Sequence, residues 1–453
     1  MRSSLTDGFK YRIITMNSEI RLGYNKLIEQ KICMVSLLAS LLIVMLFSSL
    51  QNLNAAVEEC ISYDAADKLI TLTCGSWNPS EIYSSLNNTS AMKKENDGTW
   101  LLNANLKIWH DTIFHVNSTD TKWLKINSTT PQDPYHIDVV GNMKVNSVKI
   151  SSWNTTSNNH TTTDGNIPRS SITVLPLASG KTDIINSEIA YLGDGNTSRG
   201  QGLSYWAGDG SVIKNNTIHH MYYAFYSEQV GNITIENNTI HDDIKYGIDP
   251  HTGTHDMVIR NNRVYDNGHI GIICSLDCIN ITIDGNTVFS NTNAGIMLSK
   301  NVQDSIVRNN KIQNENTGIS VSQSSNDQVY NNTISDSNNG IQVKLNSSNN
   351  TIDNNSIRNS KRCGIEVSQG SSNNTIVSNK LLNGESYGVC LVKSPTANTV
   401  SNNTIDAGGG YAVIARDSKS IDNVFKYNQL LNVSRTPFKL TNGTLTFINN
   451  TLR

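Results

Sequence analysis

A repeat of 22–25 residues runs along the second half of the chain and constrains the fold more than any other feature. Each repeat contains an Asn followed two residues later by an aliphatic residue, at Asn216, Asn238, Asn262, Asn286, Asn310, Asn332, Asn355, Asn379, Asn403, Asn428 and Asn450. Glycines follow the same period, at Gly247, Gly271, Gly295, Gly318, Gly340, Gly364 and Gly388. Two series that share one period indicate a solenoid, in which each repeat forms one coil and stacks on its neighbours.

The coil length predicts an all-β fold, a right-handed parallel β-helix with 22–25 residues and three short strands in each coil. Leucine-rich repeats have a similar length but need several leucines at fixed positions, which this sequence lacks. Asn suits the turns because it tolerates left-handed backbone conformations and forms local hydrogen bonds. Stacked coils would also align the repeated Asn side chains into a ladder.

The repeat predicts the domain organisation as well. Residues 96–453 form the β-helix, with candidate catalytic coils in 190–320 and simpler repeat coils in 321–453. Residues 58–95 are expected to cap the open edge of the first coil. Three segments before the regular repeat are predicted to form less regular strands: 99–108, 122–127 and 136–150.

The first 57 residues have the pattern of an export segment. Basic residues are followed by an apolar run over residues 32–50, which is typical of a signal peptide or of an N-terminal membrane anchor. Either interpretation puts the rest of the chain outside the cytoplasm, secreted or attached to the cell surface through the apolar segment.

Sequons and cysteines agree with export. Cys60 and Cys74 flank a predicted first hairpin and are spaced to form a disulfide, whereas Cys274 and Cys278 either pair or remain a buried and a surface thiol. The spacing does not determine the remaining disulfide connectivity. Asn-X-Ser/Thr sequons predict a glycoprotein and occur, among other positions, at Asn88, Asn117, Asn127, Asn154 and Asn196.

Charge limits the classes of partner. Charged residues make up 16% of the chain and the net charge is −2, so there is no general basic field to capture nucleic acid. An acidic polymer would have to be held by a few local cations. The cysteine spacings do not form a zinc pattern and carboxylates are too sparse for a cation cage, so the sequence predicts no metal site and no cofactor. It does not indicate the oligomeric state.

The strand that begins at each repeated Gly has an alternating pattern. The first and third residues after Gly are mostly apolar, and the second and fourth are mostly polar from Gly318 on. The alternation predicts that the second and fourth residues line an exposed sheet. In the later coils, Lys344 and Glu366 are accordingly expected to be solvated surface residues.

One coil departs from this pattern and is the candidate site. It contains Asp249 and His251 at the two exposed positions, separated by Pro250, a residue that disfavours a parallel strand. The preceding coil has Tyr226 and Glu228 at the same two positions. Departures from local rules concentrate at functional sites, and a carboxylate near an imidazole can orient it or stabilise its charged form.

The segment from Tyr246 to His251 resembles the Asp-Pro-His motif of the mannuronan C5-epimerases, a family of alginate-modifying β-helix enzymes. The resemblance covers roughly residues 95–320. It extends to the segments Tyr191-Leu192-Gly193, Gly202-Leu203-Ser204-Tyr205, Tyr223-Ala224-Phe225-Tyr226, Gly271-Ile272-Ile273 and Gly295-Ile296-Met297-Leu298. It implies a parallel β-helix with carbohydrate-active repeats that acts on an acidic polysaccharide.

The resemblance also implies roles for three residues. In that family the motif His accepts the C5 proton of the sugar, and the resemblance implies this role for His251. The neighbouring Asp and the preceding Tyr of the family belong to the same site, so the resemblance also assigns Asp249 and Tyr246 to it. The C5 proton is α to a carboxylate and weakly acidic, so its removal needs a base on one sugar face and donors that stabilise the enolate-like carboxylate. Tyr246 is the candidate proton donor on the opposite face.

The sequence departs from the family at two positions. Leu276 stands where the family has an Arg that neutralises the substrate carboxylate, and Thr252 stands where an acid usually follows the motif. Three residues are candidate replacements for the Arg: Lys300 at the equivalent position one coil later, Lys245 beside the motif and His269 at the entry of the next coil. Lys300 would lie ~10 Å from the row of His251, two coil spacings away.

Three functions from different classes follow from these residues. The first is a C5-epimerase of mannuronate-type or related uronate polymers, which abstracts the C5 proton on an exposed groove. The second is a uronate polysaccharide lyase, which shares the proton abstraction but then expels the C4 oxygen. The third is a non-catalytic β-helix that binds surface glycans or acts as an adhesin, an alternative that Leu276 favours.

Overall fold

The computed structural model describes residues 60–86, 88–95, 98–129, 134–162, 168–195 and 200–453. The export segment predicted over residues 1–57 lies outside the described residues. None of the helices in the described ranges combines the length and the apolar composition needed to cross a membrane. From residue 61 onward the described chain forms one compact unit.

The chain forms a right-handed parallel β-helix, as predicted, with three sheets that run along its length. Sheet 1 begins with an antiparallel hairpin and continues with parallel strands. Its strands are β1 Ile61–Asp64, β2 Leu69–Leu72, β6 Asn105–Ile108, β9 Ile137–Val139, β13 Ile172–Val174, β16 Gly202–Tyr205, β19 Tyr223–Glu228, β22 Tyr246–His251, β25 Ile270–Ser275, β28 Ala294–Ser299, β31 Thr317–Ser322, β34 Asn339–Lys344, β37 Cys363–Ser368, β40 Tyr387–Val392, β43 Tyr411–Arg416 and β46 Phe438–Thr441.

Sheet 2 follows sheet 1 around each coil and is parallel throughout. Its strands are β3 Gly75–Trp77, β7 Thr112–Asn117, β10 Asn142–Asn146, β14 Thr182–Ile185, β17 Val212–Lys214, β20 Thr234–Glu236, β23 Val258–Arg260, β26 Thr282–Asp284, β29 Ile306–Arg308, β32 Gln328–Tyr330, β35 Thr351–Asp353, β38 Thr375–Val377, β41 Thr399–Ser401, β44 Asn423–Lys426 and β47 Leu445–Ile448.

Sheet 3 closes each coil, and a helix, α1, Pro79–Leu86, precedes its first strand. The strands are β4 Met92–Lys94, β5 Thr99–Leu102, β8 Trp123–Asn127, β11 Lys149–Asn154, β12 Asn159–His160, β15 Glu188–Ala190, β18 Thr217–His219, β21 Thr239–His241, β24 Arg263–Tyr265, β27 Thr287–Phe289, β30 Lys311–Gln313, β33 Thr333–Ser335, β36 Ser356–Arg358, β39 Lys380–Leu382, β42 Thr404–Asp406, β45 Gln429–Leu431 and β48 Thr451–Leu452. The three predicted irregular segments before residue 150 all contain strands. The boundaries set for the cap remain a prediction.

The repeated Asn residues form a continuous ladder inside the coils. Each Asn side chain from Asn216 onward donates from Nδ2 to Oδ1 of the Asn one coil later, at 2.9–3.0 Å, as far as Asn450. The left-handed conformation expected in these turns falls on the preceding residue, for example Asn215 with φ 57° and Asn331 with φ 56°. The ladder Asn itself satisfies buried backbone groups, which explains why its amide recurs.

The glycine series reflects close packing between coils. A Cβ at Gly318 would lie 2.6 Å from the carbonyl oxygen of Gly340, and one at Gly340 would lie 2.5 Å from that of Gly364. A side chain at these positions would therefore force neighbouring strands of sheet 1 apart. The glycines fix the approach of the coils, and the residues after them point alternately to the aliphatic core and to the outer face.

Two shorter ladders contain buried carboxyl groups that the repeat analysis did not identify. One runs through Asn350, Asn374, Asn398 and Asn423, and Asp327 occupies its first position, where its backbone N–H donates to Asn350 Oδ1 at 2.9 Å. In the other, Asn267 donates to Asn291 and Asn291 to Glu315 Oε1, both at 2.9 Å. Burial raises the pKa of Asp327 and of Glu315 to about 8.

The cysteines follow the sequence prediction only in part. Cys60 and Cys74 are both disulfide-bonded. Cys274 and Cys278 are both free and buried, so the predictions that they pair or that one is a surface thiol are wrong. Cys363 and Cys390 form a disulfide between neighbouring strands of sheet 1, β37 and β40, which the spacing did not reveal.

Candidate active site

A cavity of about 370 Å³ opens on the outer face of sheet 1 in the candidate catalytic coils. Four neighbouring strands of sheet 1 form its floor: β19, β22, β25 and β28. Residues at both ends of these strands form its walls. It is lined by Gln201, Tyr223, Tyr226, Tyr246, Asp249, His251, His269, Ile270, Ile273, Ser275, Leu276, Asn293, Met297, Ser299 and Lys300. The parallel register brings together most of the site residues that the sequence predicted.

His251 lies half-buried at the end of β22, where polar groups surround its ring. Its Nδ1 is 2.7 Å from Thr252 Oγ1 and 3.4 Å from the hydroxyl oxygen of Tyr226. The Tyr226 hydroxyl donates to Glu228 Oε2 at 3.1 Å. When Nδ1 carries the ring hydrogen, it donates to Thr252 and leaves the lone pair on Nε2, which is the tautomer a base requires.

The pKa of the His251 imidazole is lowered below 6.5 by burial. The charge of Glu228 opposes this shift, and that of Lys300 adds to it. His251 is therefore neutral at neutral pH and able to accept a proton.

Asp249 differs from its predicted position on an exposed sheet. It is only 1% exposed, because it pairs in register with Tyr226 and lies among the phenol rings of Tyr223 and Tyr246. Its Oδ1 accepts a hydrogen bond from Ser275 Oγ at 3.4 Å, so it does not orient His251 as expected. Burial raises its pKa well above the usual value, which favours the protonated acid.

The outer positions of sheet 1 are likewise recessed in the later coils. Glu366 was predicted to be solvated but is 4% exposed, with Arg362 2.7 Å away as its ion-pair partner. Lys344 was also predicted to be solvated but is half-buried. Residues at the two ends of the strands, such as Asn338 and Lys344, line a cavity together with the mid-strand residue Gln342, so the face is a groove rather than a flat exposed sheet.

Aromatic side chains form one wall of the cavity. The rings of Tyr223 and Tyr246 stack with centroids 5.2 Å apart, and Tyr246 and His269 are tilted at 5.4 Å. Tyr223 also stacks on Tyr226 at 5.8 Å. Burial raises the pKa of Tyr223, Tyr226 and Tyr246, so all three phenols keep their protons. Such a wall presents both ring faces and hydroxyl donors to a ligand.

The cations near the cavity occupy different positions. Leu276 and Lys300 are at equivalent positions, each directly after a strand of sheet 1, and both line the cavity. Lys300 is close enough to His251 to lower its pKa. Lys245 lies outside the lining residues, with Nζ 5.9 Å from the ring centroid of Tyr246. Among the predicted replacements for the missing Arg, Lys300 and His269 line the cavity itself.

Several lining residues, among them Gln201, Tyr223, Asn293 and Met297, were not among the site residues that the sequence predicted. Gln201 Oε1 is buried without a hydrogen-bond partner in the described chain, although it lines the cavity, and it belongs to an irregular connection without a repeat signal. Asn293 lies at the entry of the next coil. Tyr223 is aligned with Tyr246 in register, and Met297 occupies the second position after Gly295. The period alone could have identified the last two.

Titration of His251 tests the electrostatics of the cavity without any assumption about activity. We expect histidine NMR to give a midpoint below 6.5 for the wild-type imidazole. Glu228→Gln should lower it further, because the carboxylate favours the charged ring, and Lys300→Gln should raise it. A wild-type midpoint above 6.5, or shifts of the same sign in both variants, would contradict this arrangement.

Comparison with known proteins relates this chain to two groups. The model of the family described as periplasmic copper-binding protein (NosD) matches residues 177–370 and 345–453. A mannuronan C5-epimerase of Pseudomonas syringae pv. tomato is 27% identical over 231 residues, which are 47% of this chain and 41% of that protein. A mannuronan C5-epimerase of Pseudomonas fluorescens is 34% identical over 103 residues, 20% of this chain and 19% of its own. The chain thus spans less than half the length of these relatives.

Solved structures share the fold. The periplasmic alginate epimerase AlgG is 19% identical, with 85% of each chain covered and a TM-score of 0.58. The A-module of the Azotobacter vinelandii mannuronan C-5 epimerase AlgE6 is 16% identical, with 70% of this chain and 90% of that chain covered and a TM-score of 0.50. Both likenesses support the parallel β-helix.

The described residues do not offer a set of ligands that fits the copper ion in the family description. Within residues 60–453, as far as they are described, no group of three or more His, Cys, Asp or Glu side chains is arranged to hold a metal ion. Cys274 and Cys278, which are the free thiols among the described residues, are buried in the core.

Proposed function

We propose that this chain, which belongs to the family described as periplasmic copper-binding protein (NosD) and is homologous to mannuronan C5-epimerases, is a C5-epimerase of mannuronate-type or related uronate polymers. The observation that carries the proposal is the composition of the cavity. A neutral imidazole, three protonated phenols, a buried carboxylic acid and a lysine surround one space on the groove. These are the groups that proton abstraction next to a carboxylate requires.

His251 is the base in this proposal. Its Nε2 takes the C5 proton, and the electron pair of the C5–H bond moves into the carboxyl group to give an enolate-like intermediate. The imidazole becomes a cation, which the Glu228 carboxylate stabilises, since its charge raises the pKa of His251. Thr252 Oγ1 accepts a hydrogen bond from the Nδ1–H group and holds the ring in the tautomer that the step needs.

The intermediate needs donors at its carboxylate oxygens. Leu276 stands where the family has an Arg, and Lys300 is the candidate cation in its place. Leu276 and Lys300 line the cavity at equivalent positions of neighbouring coils. Asp249 adds a neutral acid, whose proton can be donated to a carboxylate oxygen without the repulsion that a second anion would cause.

Return of a proton to the opposite face of C5 completes the epimerisation. Tyr246 is the candidate donor, because burial keeps its hydroxyl protonated and its ring forms the cavity wall beside His269. A proton delivered from this side leaves the sugar inverted at C5, with Tyr246 as a phenolate and His251 as an imidazolium, and proton exchange with water restores both groups before the next turnover. Expulsion of the C4 oxygen from the same intermediate would instead make the protein a lyase.

A non-catalytic glycan-binding β-helix is the second candidate. Leu276 supports it, because an apolar side chain in the cavity wall removes the fixed guanidinium of the family. The groove itself would still offer aromatic rings and amides to a sugar chain.

The test follows deuterium at C5. Residues 58–453 are incubated with polymannuronate in deuterated water, and proton NMR records exchange and guluronate signals. We expect deuterium at C5 together with guluronate. Unsaturated chain ends would indicate a lyase, and the absence of exchange would contradict the epimerase. Leu276→Arg then separates the remaining alternatives, because restored exchange would indicate a decayed epimerase and continued inactivity a binding protein.

The proposed location is outside the cytoplasm. The Cys363–Cys390 disulfide supports an oxidising compartment. AlgG and the NosD family are both described as periplasmic, which supports the same location. Secretion and attachment to a membrane through residues 32–50 remain predictions from the sequence.

A further inference from the structure

A second cavity, of about 380 Å³, opens on the same face of sheet 1 beyond the candidate active site. It is polar, with amide and cationic side chains from four successive coils. It is lined by Asn293, Asn316, Thr317, Asn338, Asn339, Gln342, Lys344, Lys361 and Arg362. Asn293 lines both cavities, so the two are consecutive parts of one groove.

The charges of this second cavity leave an excess of cations. Arg362 pairs with the buried carboxylate of Glu366 at 2.7 Å. The other two cations have no such close carboxylate partner in the described chain: Lys344 Nζ donates to Gln342 Oε1 at 3.3 Å, and Lys361 acts on Asp336 only as a nearby charge. Lys344 is half-buried, and burial lowers its pKa. A partly desolvated lysine of this kind gains from an anionic ligand.

The neutral groups around these lysines form a connected network with one open acceptor. Thr317 donates to Gln342 Oε1 at 3.2 Å, and Gln342 donates to Glu366 at 3.3 Å. Asn339 is 5% exposed and lines the cavity, yet its Oδ1 has no hydrogen-bond partner within the described residues. A buried amide oxygen at the edge of a cavity is a site for a ligand hydroxyl, because its desolvation would otherwise be uncompensated.

The groove changes character beyond this cavity. Cys363 and Cys390 form the disulfide there, and with Ile414 they make a small apolar cluster on the same face. The groove therefore carries polar side chains from Asn293 to the disulfide. From β22 to β34 it spans four strand steps, or ~19 Å at about 4.8 Å a step.

We propose that Lys344, Lys361 and Asn339 form a second binding site for the polysaccharide, which takes a carboxylate-bearing sugar several residues along the chain from the one at His251. The lysines bind the sugar carboxylate, and Asn339 accepts from a sugar hydroxyl. The identity of the polymer as a uronate rests on the proposed function. The site itself is a binding site and takes no part in the proton transfer.

The test compares two double variants with the same change of charge. Lys344→Gln with Lys361→Gln removes the proposed site, and Lys311→Gln with Lys380→Gln removes two exposed lysines from sheet 3, on another face. Calorimetry gives the Kd for long polymannuronate, for a mannuronate trisaccharide and for uncharged dextran. We expect the first variant to bind the long polymer about tenfold more weakly than wild type, because it loses the charge-assisted hydrogen bonds from the two lysines. The control variant should bind like wild type.

The outcomes separate this proposal from the proposed function. A tenfold loss for the long polymer, with trisaccharide binding unchanged, supports the site whether or not C5 exchange occurs. Equal Kd values for the two double variants, or a wild-type protein that does not bind polymannuronate, would overturn it even if exchange is observed. Lys344→Arg, which keeps the charge, should bind like wild type; a tenfold loss in that variant would mean that the effect is structural.

Discussion

Replacement of His251 by Ala is expected to reduce C5 exchange in polymannuronate by about 10²–10⁴-fold, the contribution of a positioned general base. The His251 imidazole is neutral at neutral pH because burial lowers its pKa, so it can accept a proton. Once it is protonated, the nearby Glu228 carboxylate stabilises the cation. The rate is measured as kcat and KM for deuterium incorporation, and we expect the loss in kcat. A Kd for the polymer close to that of wild type would show that the groove is intact.

The matched control for this variant is His241→Ala. His241 is also half-buried, but it lies on sheet 3, where it hydrogen-bonds Asp242 at 2.7 Å. We expect this variant to keep the wild-type exchange rate. Thr252→Val tests the tautomer, since it removes the acceptor for Nδ1–H and should lower kcat less than His251→Ala does. Exchange that survives in His251→Ala at more than a tenth of the wild-type rate would exclude His251 as the base.

Most of the fold could be predicted from the sequence because the coils stack in register. A residue one period away is a direct neighbour in space, so the period alone aligned Tyr226 with Asp249 and Glu228 with His251. It also placed Lys300 one coil after Leu276. The Asn ladder followed from the same argument, although the left-handed residue turned out to be the one before each Asn.

The depth of the groove could not be predicted in this way. Alternation distinguishes the core from the outer face, but it does not show how far the side chains at the strand ends rise above that face. Asp249 was expected to be exposed and is buried because Tyr223, Tyr226 and Tyr246 surround it. Gln201 belongs to an irregular connection, which the repeat does not describe.

The buried carboxyl groups were missed for a different reason. Asp327 precedes Asn350, Asn374, Asn398 and Asn423 at the same period, so the sequence did contain the signal. A search for identical residues passes over a single Asp in a series of Asn. In the structure that substitution matters, because an amide can donate to the next Oδ1 in the ladder and an ionised carboxylate cannot.

Asp327→Asn is expected to stabilise the protein strongly at alkaline pH. The side chain has a pKa of about 8 in the folded chain because of burial, above its ordinary value of 3.8. Its folded pKa is raised, so its contribution to stability is fully present below about pH 4 and is lost as the pH rises to about 8. At 1.4 kcal/mol per unit, the loss in the wild type is on the order of 5 kcal/mol at pH 8.5.

The asparagine variant removes this loss and extends the ladder. Its amide would donate to Asn350 Oδ1, as Asn350 donates to Asn374 at 2.9 Å. Asp327 Oδ2 has no partner in the described chain, so no hydrogen bond of that atom is given up. Glu315→Gln should behave in the same way at the end of the other ladder, because burial also raises the pKa of Glu315 to about 8.

Urea denaturation at pH 5 and pH 8.5 measures the effect, with Asp353→Asn on the outside of sheet 2 as the control that removes a half-exposed carboxylate. We expect the urea midpoint of Asp327→Asn to exceed that of wild type by much more at pH 8.5 than at pH 5, and that of the control to follow wild type at both. An equal gain at the two pH values would mean that Asp327 is ionised in the folded chain throughout this range. The ladder would then tolerate a buried charge, and the stabilisation would come from the added hydrogen bond alone.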